Sequence, residues 1–133
     1  MKMYIPMVLI GFVLLPLFQL DAFAVTKTSS QSGNWNSTAT WGGSPVPIAG
    51  DDVIINGGFT VTVDVSNAAC LSLQLGGSAL GTGTGTLSFG SGTQLTVSGA
   101  LNVGPFNNNN TAGSLSMASG GILKCDGLIV GRL

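Results

Sequence analysis

Few side chains in this 133-residue chain could do chemistry, and their spacing limits them further. The carboxylates are Asp21, Asp51, Asp52, Asp64 and Asp126; there is no glutamate and no histidine. The bases are Lys2, Lys27, Lys124 and Arg132, and the thiols are Cys70 and Cys125. Hydrolysis by paired carboxylates needs two acids facing one cleft. Asp51 and Asp52 are neighbours, so in a strand they point to opposite faces. They are expected instead to close the segment before them onto the first repeat. Without histidine there is no triad base and no partner for a nucleophilic thiol. A lyase would need a base to abstract a proton, and Lys124 is expected to face outward from a strand. Gly81-Thr82-Gly83-Thr84-Gly85 lies between strands, not ahead of a helix, so it reads as a connection rather than a phosphate cradle. The expectation is a non-enzyme with no cofactor. A net charge of −1 without clustered bases argues against nucleic acid and against an anionic membrane surface.

What positions these residues is a repeat. Gly85 to Gly104 reads GTLSFGSGTQLTVSGALNVG and returns 28 positions later as GSLSMASGGILKCDGLIVG, Gly113 to Gly131. Aligned without a gap, Gly85/Gly113, Leu87/Leu115, Ser88/Ser116, Ser91/Ser119, Gly92/Gly120, Leu95/Leu123 and Gly99/Gly127 are identical. A third copy is read upstream at an offset of 34, with Val53 on Leu87, Ile55 on Phe89, Val61 on Leu95 and Val63 on Val97. From Asp52 onward the apolar period is two, giving nine short strands in three groups of three. Gly58, Gly92 and Gly120 recur at turns and are expected to take positive φ.

The expected fold is all-β: a short right-handed parallel β-helix of about three rungs of three strands, with an N-terminal aromatic cap. In such a stack each residue packs on its own counterpart, which explains column-by-column identity. An antiparallel β-sandwich is the alternative, since Asn56-Gly57 is a hairpin signal.

The repeat then assigns the remaining polar groups. Asp64, Ser98 and Asp126 fall in one outer row, which makes Asp64 and Asp126 a weak calcium candidate beside their simpler role as strand terminators. Cys125 falls in the core column of Val97 and Val63. Cys70, beside an inward Leu71, is expected to face outward. The thiols are expected two rungs apart, about 9–10 Å at ~4.8 Å per strand. A disulfide needs Cα atoms within about 7 Å, so both are read as free.

Residues 1–24 read as a cleavable signal peptide: Lys2, the apolar run Tyr4 to Leu20, then Ala22-Phe23-Ala24 as a small-x-small site ahead of Val25. An uncleaved anchor is the alternative, disfavoured by Pro6 and Pro16. Residues 25–50 are read as a polar linker, Val25 to Ser32, and a cap carrying Trp35 and Trp41; residues 51–133 are the rungs. The alternative for Trp35 and Trp41 is an exposed platform for sugars. Phe106 and Asn108 lie in a rung connection, Gly104 to Gly113, and complete the candidate ligand-facing set. The strand Leu128-Ile129-Val130 is expected to present an open end, covered by further residues or by another copy.

Trp35, Trp41, Gly42-Gly43, Pro47, Asp51 to Ile55, Gly58, Val61 to Asp64 and Leu71-Ser72-Leu73 together resemble the N-terminal portion of secreted bacterial surface proteins with pectin-lyase-like parallel β-helices. The pattern is also similar to the eight-glycine β-domain. That resemblance implies a secreted or cell-surface module that starts a longer solenoid; no catalytic positions carry over. The expected function is therefore a structural or adhesion module. Its alternatives are a polysaccharide-binding or polysaccharide-processing protein active beyond this stretch, and a fibre subunit that associates end to end. No membrane contact is expected once the signal is cleaved.

Overall fold

A computed structural model describes residues 23–77, 82–104 and 111–131. Alternation of Val, Leu and Ile with Thr, Ser and Asn breaks these stretches into short strands, because β-branched residues suit a pleated, half-buried surface. In chain order they are β1 (Thr26–Thr28), β2 (Gly33–Asn34), β3 (Asp52–Ile55), β4 (Thr60–Val63), β5 (Ala68–Cys70), β6 (Ser72–Leu75), β7 (Gly83–Phe89), β8 (Gln94–Val103), β9 (Thr111–Ser116) and β10 (Ile122–Val130). One turn of 3-10 helix, Thr38–Trp41, interrupts the series.

Every pairing among the described residues is parallel. One sheet runs β1-β3-β6-β8-β10 with β5 also on β8, and the other runs β2-β4-β7-β9. The chain visits the two sheets in alternation, so each circuit adds to both. The result is a parallel β-helix of about four turns, which excludes the sandwich.

The registers define the core. One column runs Val53, Leu73, Leu101, Leu128; others run Cys70, Val97, Cys125 and Val61, Leu87, Leu115. Middle members such as Leu73, Leu87, Leu95, Val97 and Leu101 are at most 1% exposed. The last turn differs, because no strand covers it among the described residues. Leu128 is 57% and Val130 72% exposed although both stand on buried or half-buried counterparts. The expected open end is therefore an uncovered layer of core columns.

Several details depart from the sequence reading. The second and third strands of the later rungs are joined: β8 and β10 are each continuous, so a turn holds two strands rather than three. Gly127 pairs with Ala100, not Gly99, because Ser98 and Gly99 form a bulge opposite Asp126. The upstream copy is not offset by 34. Val61 stands on Leu87 and Val63 on Phe89, while Val53 and Ile55 stand on Leu73 and Leu75. A period-two pattern allows this error, since any alternating strand matches any other when shifted by an even number. Val25 to Ser32 is no linker, for β1 is stitched to β3. Gly58, Gly92 and Gly120 do take positive φ, at 86°, 69° and 76°. Gly58, however, turns the chain between β3 and β4, whereas the other two follow β7 and β9.

The identity of Gly85 and Gly113 has a different cause. A Cβ on Gly85 would stand 2.5 Å from the Ile55 carbonyl oxygen, and one on Gly113 2.7 Å from that of Leu75. Here strands of the two sheets approach too closely for any side chain.

The core columns yield a direct test. Val97→Asp places an uncompensated charge between Cys70 and Cys125 and should abolish cooperative unfolding, at a cost of several kcal/mol. Thr96→Asp, in the outer column between Ala69 and Lys124, should change stability by less than about 1 kcal/mol. Urea unfolding followed by circular dichroism distinguishes them; equal tolerance would refute the assignment of faces.

Candidate functional site

The polar groups singled out by the sequence concentrate at the N-terminal end, where they fasten a cap. Trp35 N–H donates to the Thr62 carbonyl at 2.8 Å, which extends the β2–β4 ladder by one residue. That places Trp35 at the end of the Val63–Phe89 column. Trp41, delivered by the 3-10 turn, meets it edge to face with ring centroids 5.4 Å apart at 77°. The Trp41 Nε1–H donates to the Trp35 carbonyl at 2.8 Å. Thr40, fully buried between them in sequence and structure, donates its Oγ1–H to the Asn34 carbonyl at 2.8 Å. The pair therefore supplies apolar bulk, and the Trp41 indole N–H is satisfied within it, as a solenoid end requires.

Trp35 and Trp41 are 1% and 3% exposed. Both rings are almost wholly buried, which weighs against the exposed sugar platform. The physical reason is that no strand among the described residues lies beneath the first turn, and the two tryptophans fill that end. Phe106 and Asn108 lie outside the described residues.

The aspartates act as clamps. Asp64 Oδ1 accepts the Asn36 N–H at 3.0 Å, tying the cap to the end of β4. Asp51 is 4% exposed; its Oδ2 accepts the Ile48 N–H at 3.1 Å and its Oδ1 the Val25 N–H at 3.3 Å. The Asp51 carbonyl also accepts the Leu71 N–H at 2.8 Å. Asp52 accepts the Ser72 hydroxyl across the β3–β6 pair. Asp51 thus closes the cap onto the first full turn, while the Asp52 side chain joins β3 to β6 instead.

The calcium candidate does not assemble. Asp64 ends β4 in one sheet, while Asp126 sits opposite the bulge of β8 in the other. The shared row followed from the false offset of 34. Among the described residues no three potential ligands gather.

The thiols also need correction. Cys70 faces inward and is fully buried, with Leu71 at the corner 39% exposed. Cys70 stands on Val97, which stands on Cys125, so a full strand separates the two sulfurs and both are free. Burial, with the Asp52 and Asp51 carboxylates nearby, pushes the Cys70 thiol up from 9.0 to about 12. It remains a protonated, inert hydrophobe at neutral pH.

Two surface hollows flank the cap. One, of about 310 Å³, is lined by Trp35, Val46, Pro47, Ile48 and Ala68 among others. The second, of about 340 Å³, is lined by Thr28, Ser29, Ser30, Asn56 and Phe59. Neither lining contains a charged side chain. No helix of the described residues is long and apolar enough to cross a membrane. Comparison with protein-family models, with curated proteins and with solved structures finds no match.

Two measurements check this site. Trp35→Ala should cost about 3–5 kcal/mol, and Trp41→Phe, which keeps the ring but loses the donor, about 1 kcal/mol, both read from urea midpoints. For Cys70, the unfolded thiol ionises near 9.0 and the folded one near about 12. The unfolded state therefore loses its proton first, and stability should fall as pH rises through that window. Cys70→Ala should remove this alkaline slope; an unchanged slope would contradict the burial.

Proposed function

We propose that the chain is a non-enzymatic structural module of a secreted or cell-surface protein, an N-terminal solenoid start on which further β-helix turns stack. The asymmetry of the two ends carries this reading. At one end the tryptophan pair and the Asp51 and Asp64 clamps seal the first turn. Lys27 holds the terminal place of the Val53–Leu73–Leu101–Leu128 column there. A charged head at that position keeps water, not another strand, as its neighbour. At the other end the same column finishes in an exposed Leu128, beside exposed Val130 and Met117. Unpaired, apolar strand edges are what natural proteins cover.

The charge-poor outer surface and the use of Asp51 and Asp64 as backbone clamps support a mechanical role over a chemical one. The leader pattern of Lys2, the apolar run to Leu20 and Ala22-Phe23-Ala24 supports export. With both tryptophans internal, a carbohydrate role has lost the aromatics that suggested it.

The test is light scattering of residues 25–133 across a concentration series. Coverage of the open end by second copies should give association that Val130→Lys and Leu128→Lys reduce at least about tenfold in affinity. A stable monomer at high concentration would overturn the open-end reading. Micromolar or tighter binding to a polysaccharide in a glycan screen would overturn the purely structural one.

A further inference from the structure

The chain passes from exposed to stitched between Ala24 and Val25. Phe23 is 87% exposed and Ala24 is exposed. From Val25 the backbone is held: its carbonyl accepts the Asp52 N–H at 3.1 Å, and Thr26 opens the β1–β3 pairing. The small-x-small site Ala22-Phe23-Ala24 ends at the same bond. These two observations are independent, one being a residue pattern and the other a hydrogen-bond boundary.

Asp51 adds a third. Its carboxylate is almost wholly buried, yet the hydrogen bonds it accepts come from the neutral Ile48 and Val25 backbone N–H groups. Buried carboxylates ordinarily face a cation. Lys27, the nearest base in sequence, occupies the Val53 column instead. The atom best placed to become a cation is the Val25 nitrogen, 3.3 Å from Asp51 Oδ1.

We propose that cleavage at the Ala24–Val25 bond creates a partly buried ion pair between the new Val25 α-ammonium and Asp51. A peptidase adds water across the bond and the C–N bond breaks. Ala24 leaves as a carboxylate, and the Val25 nitrogen takes up a proton. An α-amino group titrates near about 7.7–8.0, so it is cationic at neutral pH beside the Asp51 carboxyl group. One N–H donor becomes three, and the hydrogen bond to the carboxylate gains a charge on its donor as well as its acceptor. The cap, which Asp51 also ties to Ile48 and Leu71, is thereby held more firmly after processing than before. The cleavage rests on the export reading above; the ion pair does not.

The experiment has two arms. In the first, residues 25–133 are prepared with a free Val25 amine, by removing a fusion that leaves no extra residue, and in parallel with that amine acetylated. Asp51→Asn is made in both, and all four proteins are unfolded in urea. The ion pair requires Asp51→Asn to lower the folding equilibrium constant at least about tenfold more in the free-amine protein than in the acetylated one. Equal losses overturn it. If Asp51→Asn does not fold, the two wild-type forms decide: the free amine must be the more stable, and equal stability overturns the pair. In the second arm, residues 1–133 are expressed in an exporting host and the product's N-terminus is read by mass spectrometry. A start at Val25 supports the cleavage. Export with any other start overturns the position, and failure to export overturns the export reading and the processing with it, while the first arm still decides the ion pair.

Discussion

The parallel backbone ladder is the constraint on which everything else depends. Each strand hydrogen-bonds to the same strand of the next turn, so every side chain stands on its own counterpart about 4.8 Å away. A residue is therefore judged by its column. Leu73 is buried because Val53 lies below and Leu101 above. Leu128 is exposed for want of one more turn, not for want of hydrophobicity. The same rule separates the thiols: Cys70 and Cys125 share a column but not adjacent places in it, with Val97 between.

A ladder of this kind has two ends, and both must be managed. The N-terminal end is managed within the chain. Trp35 replaces the missing member of the Val63–Phe89 column, Trp41 backs it, and the carboxylates of Asp51 and Asp64 take up backbone donors that no strand is there to satisfy. The residues that first suggested chemistry are thus the fastenings of a cap. Buried polar groups need partners, and a solenoid end is where backbone donors outnumber ladder acceptors. The β10 end shows the other case, an apolar layer with its edge uncovered.

Close approach between the sheets explains residues that hydrophobicity cannot. Gly85 and Gly113 are identical because the Ile55 and Leu75 carbonyls occupy the space a Cβ would need. The β8 bulge at Ser98 and Gly99 shifts the second half of that strand so that Leu101, rather than Ala100, receives Leu128. Such local irregularities keep the inward columns apolar while the turns differ in length.

The residues alone determined the class of the fold. A column-by-column repeat of Leu, Ser and Gly over 28 positions requires stacked equivalents, and the registers of β7 on β9 and of Val97 on Cys125 follow it. They also determined that Asp51 joins cap to turn, and that the two cysteines lie too far apart to bridge. Only the tertiary structure decided which upstream strand stands on which. Alternation has period two and is blind to which sheet a strand joins, so Val61 could be set on Leu95 as readily as on Leu87. That one choice carried the outer row of Asp64 and Asp126 with it, while the outward Cys70 followed from taking the corner residue Leu71 as inward. Whether Trp35 and Trp41 face solvent or core was likewise undecided by composition, because a large aromatic suits both. Packing at the first turn, beneath which no described strand lies, decided it.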